Sequence, residues 1–190
     1  MKIAKEISGI ILAGGKSSRM GTSKAELEWK GGTLVRCQAE KLRKIGITDI
    51  IIAGYSGYVE NSRYVPDIYA GKGPLSGIHS GLLVAENETC FVMGVDIPLL
   101  SEQIIIDMIN EHIRSSNRIT ILSHGDKIEP VIGVYEKRFA SEAEKLLLSD
   151  NTSVRKFIST VGYSKFEYTG DEALLLDCNF PKDYLQALQR

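Results

Sequence analysis

The stretch Leu12-Ala13-Gly14-Gly15-Lys16-Ser17-Ser18-Arg19-Met20-Gly21, with Lys24 three residues further on, combines the residue types that hold phosphate. Consecutive glycines let the backbone take positive φ and come close to an anion, so successive N–H groups can cradle it. Arg19 and Lys24 add cations; the first can grip two oxygens at once and the second is a movable point charge. Spacing excludes two commoner phosphate loops. A Walker A loop needs glycine where this chain has Ile10, and a dinucleotide fingerprint begun at Gly14 needs glycine where it has Lys16. An ordinary glycine turn with solubilising cations remains open, and the loop alone does not decide.

A second feature is Gly94-Val95-Asp96-Ile97-Pro98-Leu99-Leu100, at the end of an apolar run. A carboxylate just past a buried strand, with a proline that halts the ladder, points into the crevice at the sheet's carboxyl edge. Mg²⁺ takes one or two carboxylates and completes its shell with phosphate oxygens and water, so Asp96 alone can anchor a metal–phosphate complex. Taken alone, an Asp in a turn that caps a helix explains it as well. Gly73 and Gly77 in Gly73-Pro74-Leu75-Ser76-Gly77 allow close backbone approach, and a helix opening there favours a negative group. Near the end of the chain, Asn179 in Asp177-Cys178-Asn179-Phe180-Pro181 can cap the last helix, serve the site, or both.

The elements that must position these residues follow from pattern. Glu6–Ala13 and Ile50–Ala53 are continuous apolar runs that suit strands buried on both faces. Thr33 to Ile45 has helical spacing, with Thr33 as N-cap and Gly46 as stop. Further helices are expected over Gly77–Glu86, after Ser101, over Arg138–Leu148 and Ser153–Ser159, and from Pro181. Strands are expected at Thr89–Val95, Arg118–Ser123, Val131–Tyr135, Tyr163–Tyr168 and Leu174–Leu176. Strands alternating with helices predict an α/β fold, a doubly wound, mostly parallel sheet in a three-layer α/β/α sandwich. The length of 190 residues, without a repeat or linker, predicts one domain over 1–190.

A formal net charge of -1, with cations spread along the chain, speaks against nucleic acid or an anionic membrane as partner, so phosphate recognition must be local. Cys37, Cys90 and Cys178 are widely spaced and His79, His112 and His124 are scattered, which argues against a disulfide framework or structural zinc site. The short apolar run before Gly14 lacks a signal-peptide cleavage pattern, and a cytoplasmic protein is expected. His79 and Trp29 read as packing residues.

The motif L-A-G-G-K-S-S-R-M-G-x-x-K resembles the signature of nucleotidyltransferases with a Rossmann-like GT-A fold, the nucleotide-diphospho-sugar transferase type, and most nearly that of the molybdenum cofactor guanylyltransferase (MobA) family. G-P-L-S-G-I and D-x-P-x-L strengthen the likeness, which runs along nearly the whole chain. The resemblance implies transfer of GMP from GTP to the phosphate of a molybdopterin-type acceptor, with Mg²⁺ as cofactor, release of pyrophosphate and hand-over to molybdoenzyme maturation partners. It implies that Leu12, Ala13 and Gly14 line the nucleotide pocket, that Gly15 and Arg19 hold phosphates, that Lys24 contacts the nucleotide and that Asp96 binds metal. Asp67 matches the guanine-site carboxylate, which suits the paired N1–H and N2–H donors of guanine; an exposed loop Asp is the competing reading. Asp177-Cys178-Asn179-Phe180-Pro181 resembles the family's N-x-N-T-P segment, with Asp177 and Phe180 as departures and Asn179 as a metal ligand. Glu129-Pro130-Val131 and Asn151–Phe157, with Arg155 and Lys156, resemble acceptor-side segments. Ala53-Gly54-Tyr55-Ser56 departs from the family's Asn residues and leaves one base contact unassigned. A related cytidylyltransferase with a molybdopterin or methylerythritol-phosphate acceptor, and a non-catalytic nucleotide or cofactor binder, are the alternatives.

Overall fold

The structure, a computed structural model, describes residues 6–15, 23–115 and 118–190. In chain order its strands are β1 (Ile7–Leu12), β2 (Glu28–Trp29), β3 (Gly32–Thr33), β4 (Asp49–Ala53), β5 (Arg63–Val65), β6 (Thr89–Gly94), β7 (Ile119–His124), β8 (Lys127–Glu136) and β9 (Ser164–Glu167). The helices are α1 (Leu34–Lys44), α2 (Pro74–Val84), α3 (Glu102–Ser115), α4 (Ala140–Leu148), α5 (Val154–Val161) and α6 (Pro181–Leu188). A seven-stranded sheet runs β5-β4-β1-β6-β8-β7-β9. Strand β8 is antiparallel to both neighbours, and the remaining pairs are parallel.

Alternation along the buried strands builds the layers. Ile11, Ile50, Ile52, Phe91 and Met93 pack with the inner faces of α1 and α3. Ile10, Ile51, Cys90 and Val92 point the other way and pack with α2, α4 and α5. Successive strand residues face opposite sides, so a continuous apolar run serves both helical layers at once. Each such side chain taken out of water contributes about 1.5–3 kcal/mol. The result is a Rossmann-like α/β/α sandwich. Among the described residues, no helix is long and apolar enough to cross a membrane.

Helix starts follow local chemistry. Thr33 Oγ1, Ser101 Oγ and Ser153 Oγ accept from the N–H groups of Arg36, Ile104 and Lys156, three residues on in each case. Several elements depart from expectation, among them the unexpected edge strand β5. Helix α2 begins at Pro74 rather than Gly77, because Pro at the first helical position has its φ already set and no N–H to place. Strand β8 begins at Lys127 rather than Val131, closing a hairpin on β7 through Gly125-Asp126, with Gly125 at φ 56°. Leu174–Leu176 is no strand; Glu172–Leu175 is a 3-10 turn, started by Asp171 Oδ1 accepting from Ala173 N–H at 3.0 Å. The small hairpin of β2 and β3 has no counterpart in the sequence-based expectation.

Candidate active site

Register places the site. Leu12 and Gly94 are direct partners at the carboxyl ends of β1 and β6. Val95 N–H still donates to Leu12 O at 3.0 Å, and Ala13 N–H donates to Ala53 O at 2.9 Å. Gly14 and Asp96, each two residues past that pair, therefore leave the sheet side by side. Helix α1 crosses one face after β1 while α2 lies on the other before β6, which makes the β1/β6 edge the topological switch where open α/β sheets hold ligands. A cleft of about 660 Å³ lies there, lined by Leu12, Gly14 and Gly15, by Asp67, Gly73 and Gly77, and by Gly94, Asp96 and Val131. That size falls within the range of small-molecule sites.

The glycine wall is tight for backbone reasons. Gly54 has φ 79°, and a Cβ there would lie 2.6 Å from Gly14 Cα. Gly14 itself lies close to Asp67, since a Cβ on it would meet Asp67 Oδ2 at 3.2 Å. Asp67 Oδ1 is buried with no hydrogen-bond partner among the described residues, and burial raises its carboxyl above the ordinary range. Such an acceptor inside a cleft is costly unless a ligand donates to it. The loop that carries Asp67 is pinned onto α2 and α4. Ile68 N–H donates to Ser80 Oγ, Tyr69 N–H to Ser76 Oγ, Tyr69 Oη–H to Glu144 Oε1, and Lys72 Nζ to Leu147 O and Asp150 Oδ1.

Asp96 is held from three directions. Gln38 Nε2 donates to Ile97 O at 2.9 Å and to Val95 O at 3.4 Å, and Lys41 Nζ donates to Pro98 O at 2.9 Å. Burial lowers the Lys41 ammonium to about 8. Cys178 N–H donates to Asp96 O at 2.8 Å, which brings the C-terminal segment to the cleft. A Cβ on Gly94 would sit 2.5 Å from Asp96 Oδ1, so only glycine leaves room for this carboxylate at the strand end. Lys24 Nζ donates to Asp96 Oδ2 at 2.8 Å and to Asn179 Oδ1 at 2.5 Å. Asn179 Nδ2 in turn donates to Asp177 Oδ2. Burial, then the charge of Asp96, raises the Asp177 carboxyl; burial, then Asp177, raises that of Glu129. Asn179 is not the cap of α6: Phe180 holds that position and its N–H donates to Asp183 Oδ2 at 3.0 Å.

Leu12, Gly14, Gly15, Asp67, Gly73 and Asp96 thus share one cleft, with Ala13 buried behind it and Lys24 and Asn179 meeting on Asp96. Arg19 lies outside the described residues. Among the described residues no three His, Cys, Asp or Glu gather to enclose a metal by themselves. Asp96 and Asn179 nevertheless present hard oxygens that already share one cation, the Lys24 ammonium, which suits a hard divalent ion completed by phosphate oxygens. Sequence reasoning missed Gln38, Ser76 and Ser80, which position the site walls; their spacing carries no local signal for that role.

The sequence matches the MobA-like NTP transferase domain over residues 9–165. The chain belongs to this family. A relative from Carboxydothermus hydrogenoformans, described as a probable molybdenum cofactor guanylyltransferase, is 34% identical over 94% of this chain and 93% of its own. A relative from Pelotomaculum thermopropionicum with the same description is 31% identical over 96% of this chain and 92% of its own. Among solved structures, molybdopterin-guanine dinucleotide biosynthesis protein A from Archaeoglobus fulgidus has a TM-score of 0.81 at 19% identity, covering 96% of this chain and 97% of that one, a likeness of fold. As a MobA-like NTP transferase the chain is a nucleotidyltransferase. Its departures from the motif as read, Asp177 and Phe180, fall on either side of the Asn179 contact and leave it in place.

Proposed function

We propose that this chain transfers GMP from GTP to the phosphate of a molybdopterin-type acceptor and releases pyrophosphate, with residues 1–190 acting as one nucleotidyltransferase domain. The observation that carries the reading is the shared cleft: the glycine turn after β1 and the carboxylate after β6 flank one volume, with Asp67 beside Gly14 in its lining. An acceptor phosphate oxygen attacks the α-phosphorus as the bond from that phosphorus to the β-bridging oxygen breaks, and the electron pair leaves with pyrophosphate. The acceptor is already ionised near neutral pH, so no general base is needed.

The chain's task is then alignment and charge neutralisation between two anions. Leu12, Gly14 and Gly73 line the nucleotide with Ala13 behind them, Gly15 holds phosphate, and Lys24 stabilises the departing pyrophosphate, a charge role the sequence motif also gives to Arg19. Asp67 accepts from guanine N1–H and N2–H, donors that would satisfy its buried oxygen. Asp96 and Asn179 are the side chains to hold Mg²⁺, whose contribution is to neutralise phosphate charge and fix its orientation. Cytosine offers an acceptor beside its amino donor and would leave Asp67 half-satisfied, which favours GTP over CTP. The three cysteines are unbridged, in keeping with a reducing cytoplasm, where molybdoenzyme maturation partners would take the product.

The test is pyrophosphate release by purified protein supplied with molybdopterin and either GTP or CTP, with Mg²⁺. Release with GTP alone is expected. Preference for CTP would replace this reading with a cytidylyltransferase, and no release with either would replace it with a non-catalytic binder.

A further inference from the structure

The oxygens assigned to Mg²⁺ already hold a positive charge. Lys24 Nζ lies 2.8 Å from Asp96 Oδ2 and 2.5 Å from Asn179 Oδ1, and the Lys24 side chain is only 19% exposed. Mg²⁺ sits about 2.0–2.1 Å from its oxygen ligands, so two cations bridging one such pair claim overlapping volume. We propose that the Lys24 ammonium and the divalent cation compete for one seat, and that the triphosphate decides the competition by drawing Lys24 onto its own oxygens. Metal therefore enters with the nucleotide, and free metal binds weakly before it. This inference rests on the nucleotidyltransferase reading of the cleft given above.

Two features support the exchange. First, the seat does not depend on the lysine. Cys178 N–H donates to the Asp96 main-chain O at 2.8 Å and Asn179 Nδ2 donates to Asp177 Oδ2, so the two segments stay paired and the Asn179 amide stays oriented without Lys24. Second, Lys24 stands in the 3-10 turn Lys24–Glu26, and the carboxylate it holds, Asp96, lines the same cleft as Gly14 and Gly15. Its charge, on a flexible four-carbon stem, can move from carboxylate to phosphate without moving the backbone. A lysine that served only to bind phosphate would have no need of Asp96 and Asn179, and one that served only to tie the segments together would duplicate the Cys178 bond.

The exchange predicts opposite effects of one substitution. Mn²⁺ is the probe, titrated into nucleotide-free protein with free Mn²⁺ read by electron paramagnetic resonance, for the unsubstituted chain, Lys24→Met, Asp96→Asn and the double variant. Circular dichroism verifies that each is folded. Lys24→Met is expected to bind Mn²⁺ about tenfold more tightly, the worth of a charge-assisted hydrogen bond removed from the ligand oxygens, while it binds GTP more weakly. In the double variant the gain should vanish. Mn²⁺ binding no tighter in Lys24→Met, with Asp96→Asn still weakening it, overturns the exchange and leaves the metal assignment standing. Binding indifferent to Asp96 in either background overturns the metal assignment, and the exchange with it.

Discussion

Asp67→Asn should make the protein more stable and worse at its work. In the unliganded protein, Asp67 Oδ1 is buried and unpartnered among the described residues, and burial raises the carboxyl. A buried acceptor left unsatisfied costs about 1–3 kcal/mol. The isosteric amide keeps a polar atom there but removes the charge that burial disfavours, and with Asp67 only half-buried that should recover about 1 kcal/mol without opening a cavity. For a chain of this length that is a rise in Tm of about 2–4 °C. The sign with pH follows from linkage. A carboxyl raised in the folded state penalises stability once it ionises, so the gain is present at neutral pH, fades as pH falls through the raised folded pKa, and is gone below about pH 4, the unfolded value, where both states take up the proton. Binding moves the other way. Two charge-assisted bonds to guanine become one neutral bond facing one clash, a loss of about 2–4 kcal/mol, or about 30- to 1,000-fold in Kd. Differential scanning fluorimetry from pH 4 to 8 and calorimetric titration of GTP against ATP check both signs. A variant that is less stable at neutral pH, or that keeps its preference for GTP, would show that Asp67 is not a carboxylate waiting for paired donors.

Asp96→Ala should abolish pyrophosphate release while circular dichroism stays unchanged, because Gln38 and Cys178 hold the turn through its backbone; full activity in this variant would remove Asp96 from the mechanism. Gly54→Ala combines a positive φ of 79°, worth about 1–2 kcal/mol, with a Cβ 2.6 Å from Gly14 Cα, worth about 1–3 more. Chemical denaturation should therefore show a loss of about 2–5 kcal/mol, accompanied by weaker GTP binding as Gly14 shifts. His79 is fully buried against the Tyr69 ring, with neither ring nitrogen partnered among the described residues, and burial lowers its pKa against a smaller opposing effect of Glu144. The unfolded chain takes the proton first, so His79 favours the fold above about pH 6.5 and this is lost as pH falls. His79→Leu should flatten the stability profile between about pH 7 and 5 in urea melts, and an unchanged slope would refute the assignment.

Much of this protein was determined by local sequence. The apolar runs at β1, β4 and β6 have one environment open to them, a strand covered on both faces, and α1 and α3 follow from spacing that leaves one stripe for the core, whereas α2 is buried nearly all round. Thr33, Ser101 and Ser153 announce helix starts because a cap reaches only three residues ahead. The glycine turn and the Asp96 turn were legible for the same reason: each follows its strand directly. Leu174–Leu176 misled because three leucines suit a strand as well as a turn packed on the core, and Asp171 decided between them.

What no local pattern contains is which distant residues meet. Lys24 reaches Asp96 across 72 positions and Asn179 across 155, Gln38 reaches Ile97 across 59, and Lys72 reaches Leu147 across 75. Those pairings depend on strand order and on the face each helix covers, and both are settled only when the two apolar clusters close on the sheet together. Asn179 shows the difference most directly. Its place before Pro181 allows a cap or a site contact equally, and the choice fell to Phe180 taking the cap while the Cys178 N–H bond to Asp96 turned the asparagine toward Lys24.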